Sequence, residues 1–169
     1  MSKKKYKPLP KSGLYYSNTI WMSPAYQSLT KSAMNLLQCL VGELRWTRLG
    51  KKGKKKKVYL NNGEVSFPQS VYTEFFNSSK ATYVSARNQL IRVGFIKLVY
   101  KGGLGRGDCA RYKILCLQET LFKHERWRGY PEKNWEHEIP KPKKQLVGVE
   151  TQWKKGQSGR NKPKATLSK

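Results

Sequence analysis

The sequence predicts a mixed α+β fold, because the spacing of its hydrophobic residues changes from helical to strand-like within one stretch of the chain. That stretch runs from residue 29 to residue 117 and holds most of the aliphatic residues, whereas Lys, Pro, Gly and Ser dominate both ends. A length of 169 residues favours one domain with extensions over two full domains. We therefore divide the chain into a basic N-terminal arm at 1–28, a folded domain at 29–117 and a basic C-terminal extension at 118–169.

The first predicted element after the arm is a helix. Prolines and like-charged lysines predict that the arm itself is extended. Thr30 is a typical N-cap residue, and apolar residues follow it at helical spacing, so a helix is expected over about 31–46. The lysine-rich run at 50–57 carries a like charge that opposes packing, which predicts a loop.

A short hairpin and a short helix are expected next. The sequence Asn61-Asn62-Gly63 tolerates the positive φ angle of a tight turn, which predicts that residues 58–60 pair with residues 64–67. Pro68 suits the first turn of a helix, so a short helix is expected over about 68–76.

A longer helix is expected over 80–93, where Gly94 supplies the C-terminal stop. Its apolar stripe consists of Tyr83, Ala86, Leu90 and Val93. The residues that the same spacing directs away from this stripe are Ala81, Ser85, Asn88 and Arg92. The helix is therefore predicted to bury one face and to present a polar face to solvent.

After Gly94 the periodicity changes to two, which predicts a β-hairpin with a basic outer face. The glycine-rich stretch KGGLGRGD, residues 101–108, connects its strands. A glycine loop that binds nucleotide phosphates follows a strand and opens a helix. Because this stretch joins two strands, we interpret it as a flexible hairpin tip that presents Arg106.

Charge is the strongest signal of function. The chain has 35 Lys and Arg against 10 Asp and Glu, a formal net charge of +25. Such a charge opposes self-association and indicates a polyanionic partner, with nucleic acid as the first candidate. A membrane partner is not expected, because the lysine runs lie among Gly and Pro and no segment approaches the length of a span. Three cysteines without a CxxC pair indicate a reduced, cytoplasmic protein, associated with the nucleoid if the host is bacterial.

The predicted order of helix, strand, short helix, turn, second helix and basic two-stranded ribbon resembles the winged helix-turn-helix family. The resemblance covers about 30–117 and is strongest over GEVSFPQSVYTEFFNSSKATYVSARNQLIRVGFIKLVYKGG, which includes the step LIRVGFI from helix to ribbon. The chain is similar there to bacterial, phage and plasmid regulators and to the winged-helix domains of replication initiators. One departure is Arg87, which stands where many members bury an aliphatic residue. The resemblance implies that helix 80–93 enters the major groove of DNA and that the wing, 101–108, contacts the minor groove.

Residue chemistry fits a DNA interface of this kind. Asn88 can donate to and accept from adenine, and Arg92 or Arg87 can reach guanine or phosphate. Arg106 suits a narrow minor groove. For each polar helix residue the alternative is a merely solvated face, and for Arg92 it is a cap on its own helix. The complete candidate set is Lys80, Thr82, Ser85, Arg87, Asn88, Arg92, Lys97, Lys101, Arg106, Arg111 and Lys113.

No enzyme, cofactor or metal site is expected. The chain has one aspartate, Asp108, and its acidic residues at 132–138 lie among Pro and Lys, whereas a magnesium-dependent nuclease needs clustered carboxylates. The potential metal ligands lack zinc-site spacing, and the cysteines among them fit small core positions better. These ligands are Cys109, Cys116, His124 and His137.

The sequence therefore predicts a sequence-specific double-stranded DNA-binding protein, a transcriptional regulator or a replication-associated factor of a phage or mobile element. The alternative is a structural, ribosome-associated RNA-binding protein whose basic ends thread through RNA. A third reading is an adaptor whose residues 127–153 recruit a protein partner. The basic ends are also candidates for binding RNA or single-stranded nucleic acid, and a homodimer would favour a palindromic DNA site.

Overall fold

The computed structural model of the chain describes residues 17–103, 107–117 and 125–141. These residues form a mixed α+β fold, which confirms the predicted class. The α-helices are Asn18–Trp21 (α1), Pro24–Gln27 (α2), Lys31–Gly42 (α3), Gln69–Phe75 (α4) and Lys80–Arg92 (α5). The strands are Trp46–Leu49 (β1), Lys56–Tyr59 (β2), Ile96–Tyr100 (β3) and Arg111–Ile114 (β4). Two 3-10 turns follow, at Arg126–Gly129 and Glu136–Glu138.

The hydrophobic core lies where α3 and α5 pack against each other. Leu36, Leu37 and Leu40 of α3 are fully buried at the spacing that predicted this helix. Leu90 and Ile91 of α5 meet them from the other side. Each fully buried leucine or isoleucine contributes about 1.5–3 kcal/mol relative to exposure, so this contact fixes the position of α5.

The turn between α4 and α5 is short and is held by hydrogen bonds. Asn77 adopts a φ of 46°, in the left-handed region that Asn tolerates better than most residues. The Oγ atom of Ser79 accepts from the backbone N–H of Thr82 at 3.1 Å and caps α5. The Tyr83 hydroxyl donates to the carbonyl of Phe67 at 2.8 Å, which ties the first turn of α5 to the segment before α4.

The prediction that the first helix reaches residue 46 is wrong. The helix α3 ends at Gly42, a poor helix former, and Trp46 begins β1 instead. Asn61 stabilises this change of direction through two hydrogen bonds. Its Nδ2 donates to the carbonyl of Glu43 at 3.0 Å, and its Oδ1 accepts from the N–H of Arg45 at 2.7 Å. Backbone groups that the end of the helix leaves unpaired are thus satisfied by a side chain.

The predicted hairpin around Asn61-Asn62-Gly63 is also wrong. The strand β2 pairs with β1 in an antiparallel register that places Trp46 opposite Tyr59, so the lysine-rich run forms the tip and part of one strand of this hairpin. Asn62 instead bonds to Ile114: its Nδ2 donates to the carbonyl at 3.0 Å, and its Oδ1 accepts from the N–H at 2.8 Å. The chain does turn here, since the N–H of Glu64 donates to the carbonyl of Asn61 at 3.0 Å, but the turn does not join two paired strands.

The second hairpin, which β3 and β4 form, confirms the strand periodicity predicted after Gly94. Ile96 pairs with Ile114 and Lys97 with Lys113, and the register shifts between Leu98 and Tyr100. A third segment joins the edge of this sheet, because Val65 forms an antiparallel bridge with Tyr112. The N–H of Tyr112 donates to the carbonyl of Val65 at 2.7 Å.

Gly94 joins α5 to β3 through a glycine-terminated helix end. The N–H of Gly94 donates to the carbonyl of Ile91, and the N–H of Phe95 donates to the carbonyl of Leu90, each at 3.0 Å. This pair of bonds is the Schellman pattern, and it requires the positive φ of 83° that Gly94 adopts. A Cβ atom here would lie 2.6 Å from the Cβ of Arg126. The position therefore needs glycine both for its conformation and for its space.

Residues outside the predicted domain of 29–117 pack on it from both ends. In the arm predicted as extended, α1 and α2 are helical, and Tyr26 is buried with its ring edge toward Phe95. Trp127 is buried and stacks on Phe95, with ring centroids 6.1 Å apart. The packed unit runs to Ile139; of the second unit, Pro140–Lys169, the structure describes only two residues.

We expect Gly94→Ala to lower the free energy of unfolding by about 2–4 kcal/mol, because the new methyl group meets Arg126 in addition to the cost of a positive φ. The control is Gly53→Ala, at a similar φ of 84° but with no atom near the added Cβ. Urea denaturation of both variants measures the difference. Equal losses for the two variants would contradict the assignment of Gly94 as a crowded joint.

Candidate nucleic-acid interface

The exposed face of α5 carries the polar stripe expected from the sequence. Ala81, Ser85 and Arg92 are exposed, and Asn88 is half-exposed. Their spacing of four, three and four residues places them on one side of the helix, opposite the face that packs on α3. Side chains with hydrogen-bonding groups are thus held on a rigid helix and directed to solvent.

The N-terminal end of α5 holds Lys80 and Thr82. Lys80 is exposed, and its backbone carbonyl accepts from the Nε2 of Gln69 at 3.1 Å. The Thr82 hydroxyl lies 2.9 Å from the Ser79 hydroxyl. Thr82 therefore belongs to the helix cap as well as to the candidate set, whereas the Lys80 ammonium adds positive charge where the helix dipole already favours anions.

Arg87 and Asn88 form a pair on the flank of the stripe. The Nε and Nη2 atoms of Arg87 donate to the Oδ1 of Asn88 at 3.1 and 2.9 Å. A bidentate contact to adenine needs both the oxygen and the nitrogen of an asparagine amide. In this arrangement the Asn88 oxygen already accepts twice, so Asn88 offers its Nδ2 as a donor unless Arg87 moves away.

Arg87 also contacts the base of the β3–β4 hairpin. It lines a cleft with Tyr83, Asp108 and Tyr112. Burial raises the pKa of the Tyr112 phenol, and the positive charge of Arg87 opposes that rise. This polar environment explains why an arginine is tolerated where an aliphatic residue is expected, since Arg87 lines a cleft with two tyrosines and donates to the amide of Asn88.

Arg92 forms an ion pair at the far end of the stripe. Its Nη2 lies 3.2 Å from the Oε1 of Glu136, and 46% of the Arg92 side chain and 62% of the Glu136 side chain are exposed. The Arg92 carbonyl accepts from the N–H of Trp135 at 3.1 Å. An exposed pair of this kind contributes only about 0–1 kcal/mol, so the guanidinium can exchange Glu136 for another anion at little cost.

Lys97 and Lys113 lie on the β3–β4 hairpin as direct cross-strand partners, with Lys97 exposed and Lys113 half-buried. Like charges in this position oppose pairing unless an anion lies nearby. Lys101 is exposed just after β3. A phosphate would stabilise the neighbouring charges of Lys97 and Lys113.

Arg111 is exposed, and its guanidinium lies 5.3 Å from the centroid of the Tyr100 ring. The Tyr100 hydroxyl donates to the Oδ2 of Asp108 at 2.7 Å, and that bond raises the pKa of the phenol.

The predicted minor-groove residue, Arg106, lies outside the described residues. Between residues 80 and 113 the sequence has eight Lys or Arg against Asp108 alone, so the charge of this face is strongly positive.

The sequence analysis missed a second basic surface, on the β1–β2 hairpin. The register pairs Trp46 with Tyr59 and Arg48 with Lys57. Because alternate residues of a strand point to the same side, these four side chains share one face of the hairpin. Part of the signal was present, since Leu44 and Trp46 alternate with Arg45 and Thr47. It was obscured because leucines at helical spacing continue as far as Leu44.

Two cysteines are buried and poorly reactive. Burial raises the pKa of the Cys39 thiol to about 11 and that of the Cys116 thiol to about 12, so both are protonated at neutral pH. In the described ranges no three His, Cys, Asp or Glu residues are placed to hold a metal ion. The helices that the structure describes include none that is long and apolar enough to cross a membrane.

Comparison of the chain with models of known protein families, with curated proteins and with solved structures gives no match.

Proposed function

We propose that this protein binds double-stranded DNA at specific sequences, as a transcriptional regulator or a replication-associated factor, and that it does so through a winged helix-turn-helix domain. The observation that carries the proposal is the solvent-facing polar stripe of α5, which lies on the opposite side from the contact with α3. Recognition of bases in the major groove requires a helix that is buried on one side and carries hydrogen-bonding side chains on the other.

The order of the elements supports the winged-helix part of the proposal. A helix (α3) is followed by a short extended segment at Val65, two helices joined by a short turn (α4 and α5), and a two-stranded ribbon (β3 and β4). An isolated antiparallel bridge joins Val65 to Tyr112 of β4. The β1–β2 hairpin lies between α3 and the Val65 segment along the chain.

In the proposed complex, α5 lies in the major groove, which at about 12 Å wide admits a helix with its side chains. Ser85, Asn88 and Arg92 face the base edges, and Arg92 leaves Glu136 to bond to guanine or to phosphate. The Asn88 Nδ2 donates to a base acceptor. Lys80 contacts phosphate at the helix N-terminus.

The β3–β4 hairpin supplies the second contact. Lys97, Lys101, Arg111 and Lys113 bind phosphates and add affinity without sequence preference. Arg106, in the glycine-rich stretch 101–108, is proposed to contact the minor groove. The proposal involves no catalysis, because binding and positioning account for every residue in the candidate set.

Selection from a random duplex pool tests sequence specificity. At about physiological salt, with structured RNA as competitor, we expect a motif to be enriched, since non-specific attraction is largely screened there. We expect Ser85→Ala and Asn88→Ala each to relax the preference at one base pair, with a loss of about 0.5–1.5 kcal/mol for the selected site, because each side chain contributes a single hydrogen bond.

Arg92→Ala is compared with Lys52→Ala, which lies in the loop of the β1–β2 hairpin and serves as the control for loss of charge. Both variants remove one positive charge. We expect Lys52→Ala to weaken all duplexes alike and Arg92→Ala to weaken the selected site more. An RNA-binding protein is the alternative: no enriched motif, together with displacement of all DNA by the RNA, would replace the DNA proposal with that one.

We expect Glu136→Gln to raise affinity for the selected duplex by about 1.5- to 5-fold, because it frees Arg92 and removes a negative charge near the phosphates. Glu132→Gln, an exposed residue of the same segment, is the control and should change affinity less. Titration by fluorescence anisotropy measures both. A lower affinity for Glu136→Gln would mean that the ion pair positions Arg92 for binding rather than restraining it.

A further inference from the structure

We propose that the β1–β2 hairpin is a separate binding surface for single-stranded nucleic acid, on which a base stacks against Trp46 while the surrounding cations hold the phosphates. This inference goes beyond duplex recognition, and it uses none of the residues assigned to that function. It depends on a face of the molecule that the β1–β2 register defines.

The register places two aromatic and two cationic side chains on that face. Trp46 lies opposite Tyr59, and Arg48 lies opposite Lys57, so all four project to the same side of the ribbon. Leu49 belongs to the other side, opposite Lys56. We call the group of Trp46, Arg48, Lys57 and Tyr59 the aromatic face.

Trp46 is accessible to a ligand. Its exposed fraction is 46%, and it is not among the residues packed into or against the core. Tyr59 is partly buried and packs against the core, so it anchors the ribbon beside Trp46. A large aromatic ring is thus held on a paired strand and left open to solvent, which is the arrangement of a stacking platform.

Cations already occupy the ring faces. The Nζ of Lys57 lies 4.8 Å from the centroids of both the Trp46 and Tyr59 rings, and the Arg48 guanidinium lies 5.9 Å from the Trp46 centroid. At an exposed site a cation–π contact shifts the equilibrium toward the contact by about two- to fivefold. Stacking of a base on an aromatic side chain strengthens binding by about five- to 150-fold. A base therefore displaces Lys57, which then lies close to the backbone phosphates.

The charge of the hairpin identifies the class of partner. Between residues 45 and 57 the sequence contains eight Lys or Arg and no Asp or Glu. The lysines at 51, 52, 54, 55 and 56 are exposed. A partner must therefore supply several negative charges together with a flat apolar surface for the Trp46 ring.

Single-stranded nucleic acid meets both requirements better than the other polyanions. In a duplex the base faces are covered by their neighbours, so a single Trp must first separate a base step. A membrane surface would need a broad apolar face, and the aromatic face alternates rings with cations. An unpaired strand offers its base faces and phosphates together, without a prior cost of unstacking a duplex.

The experiment measures binding of labelled oligo-dT, oligo-rU and the selected duplex to the full chain at about physiological salt. We expect Trp46→Ala to weaken binding of one or both single strands by about 5- to 100-fold while duplex affinity changes by less than about twofold. Trp46→Phe, which keeps a stacking ring, should recover most of the loss. Lys52→Ala removes one cation of the hairpin but no ring, so it should weaken single-strand binding by less than Trp46→Ala does.

Three outcomes would overturn the proposal: an unchanged single-strand affinity in Trp46→Ala, an equal loss for duplex and single strands, or an equal loss in Trp46→Phe and Trp46→Ala. A second readout guards against misfolding of the Ala variant: single strands should quench less tryptophan fluorescence in Trp46→Phe than in the unchanged chain. The DNA and RNA oligonucleotides show which strand is preferred. Because Ser85→Ala and Asn88→Ala affect only the duplex arm, failure of this proposal is distinguishable from failure of duplex recognition.

Discussion

The packing of this fold depends on the crowded helix end at Gly94. Two backbone hydrogen bonds at 3.0 Å close α5 there, and the positive φ turns the chain directly into β3. Phe95, the next residue, is buried and its ring contacts those of Tyr26 and Trp127, so one position joins the N-terminal helices, α5, the β3–β4 hairpin and the segment around Trp127. The direction of the β3–β4 hairpin relative to α5 is therefore set by backbone geometry and close packing rather than by exposed ion pairs.

This constraint explains how a chain of such high charge forms an ordered surface. Self-repulsion among the cations of α5 and the hairpin opposes compaction, but buried aromatic and aliphatic side chains hold both elements in place. Like-charged pairs such as Lys97 and Lys113 then remain on the surface. An anion that binds there relieves their repulsion, which favours its binding. The β1–β2 hairpin is also strongly basic, and its cross-strand pairing places Arg48 and Lys57 beside the exposed Trp46.

The helix α5 was predicted over 80–93 and is observed over Lys80–Arg92, with the expected exposed stripe. The prediction succeeded because helical periodicity, caps and the glycine stop are local signals. The end of α3 and the pairing of β2 could not be predicted in this way. They depend on side-chain bonds of Asn61 and Asn62 to backbone groups distant in sequence, and Asn-Gly is equally compatible with a hairpin turn. The ion pair of Arg92 with Glu136 likewise joins residues distant in sequence. The bond between the neighbours Arg87 and Asn88 depends on side-chain rotamers, which residue spacing does not specify.

The most direct test of the account is to map backbone amide chemical shifts by NMR while the selected duplex is added to the full chain. Duplex recognition through α5 requires the largest changes in α5, from Lys80 to Arg92, and around Lys97 and Lys113. It also requires a change at Glu136 as Arg92 leaves it. Changes confined to residues 51–57 and to the two ends of the chain, with α5 unaffected, would contradict it, because DNA would then be held by charge alone.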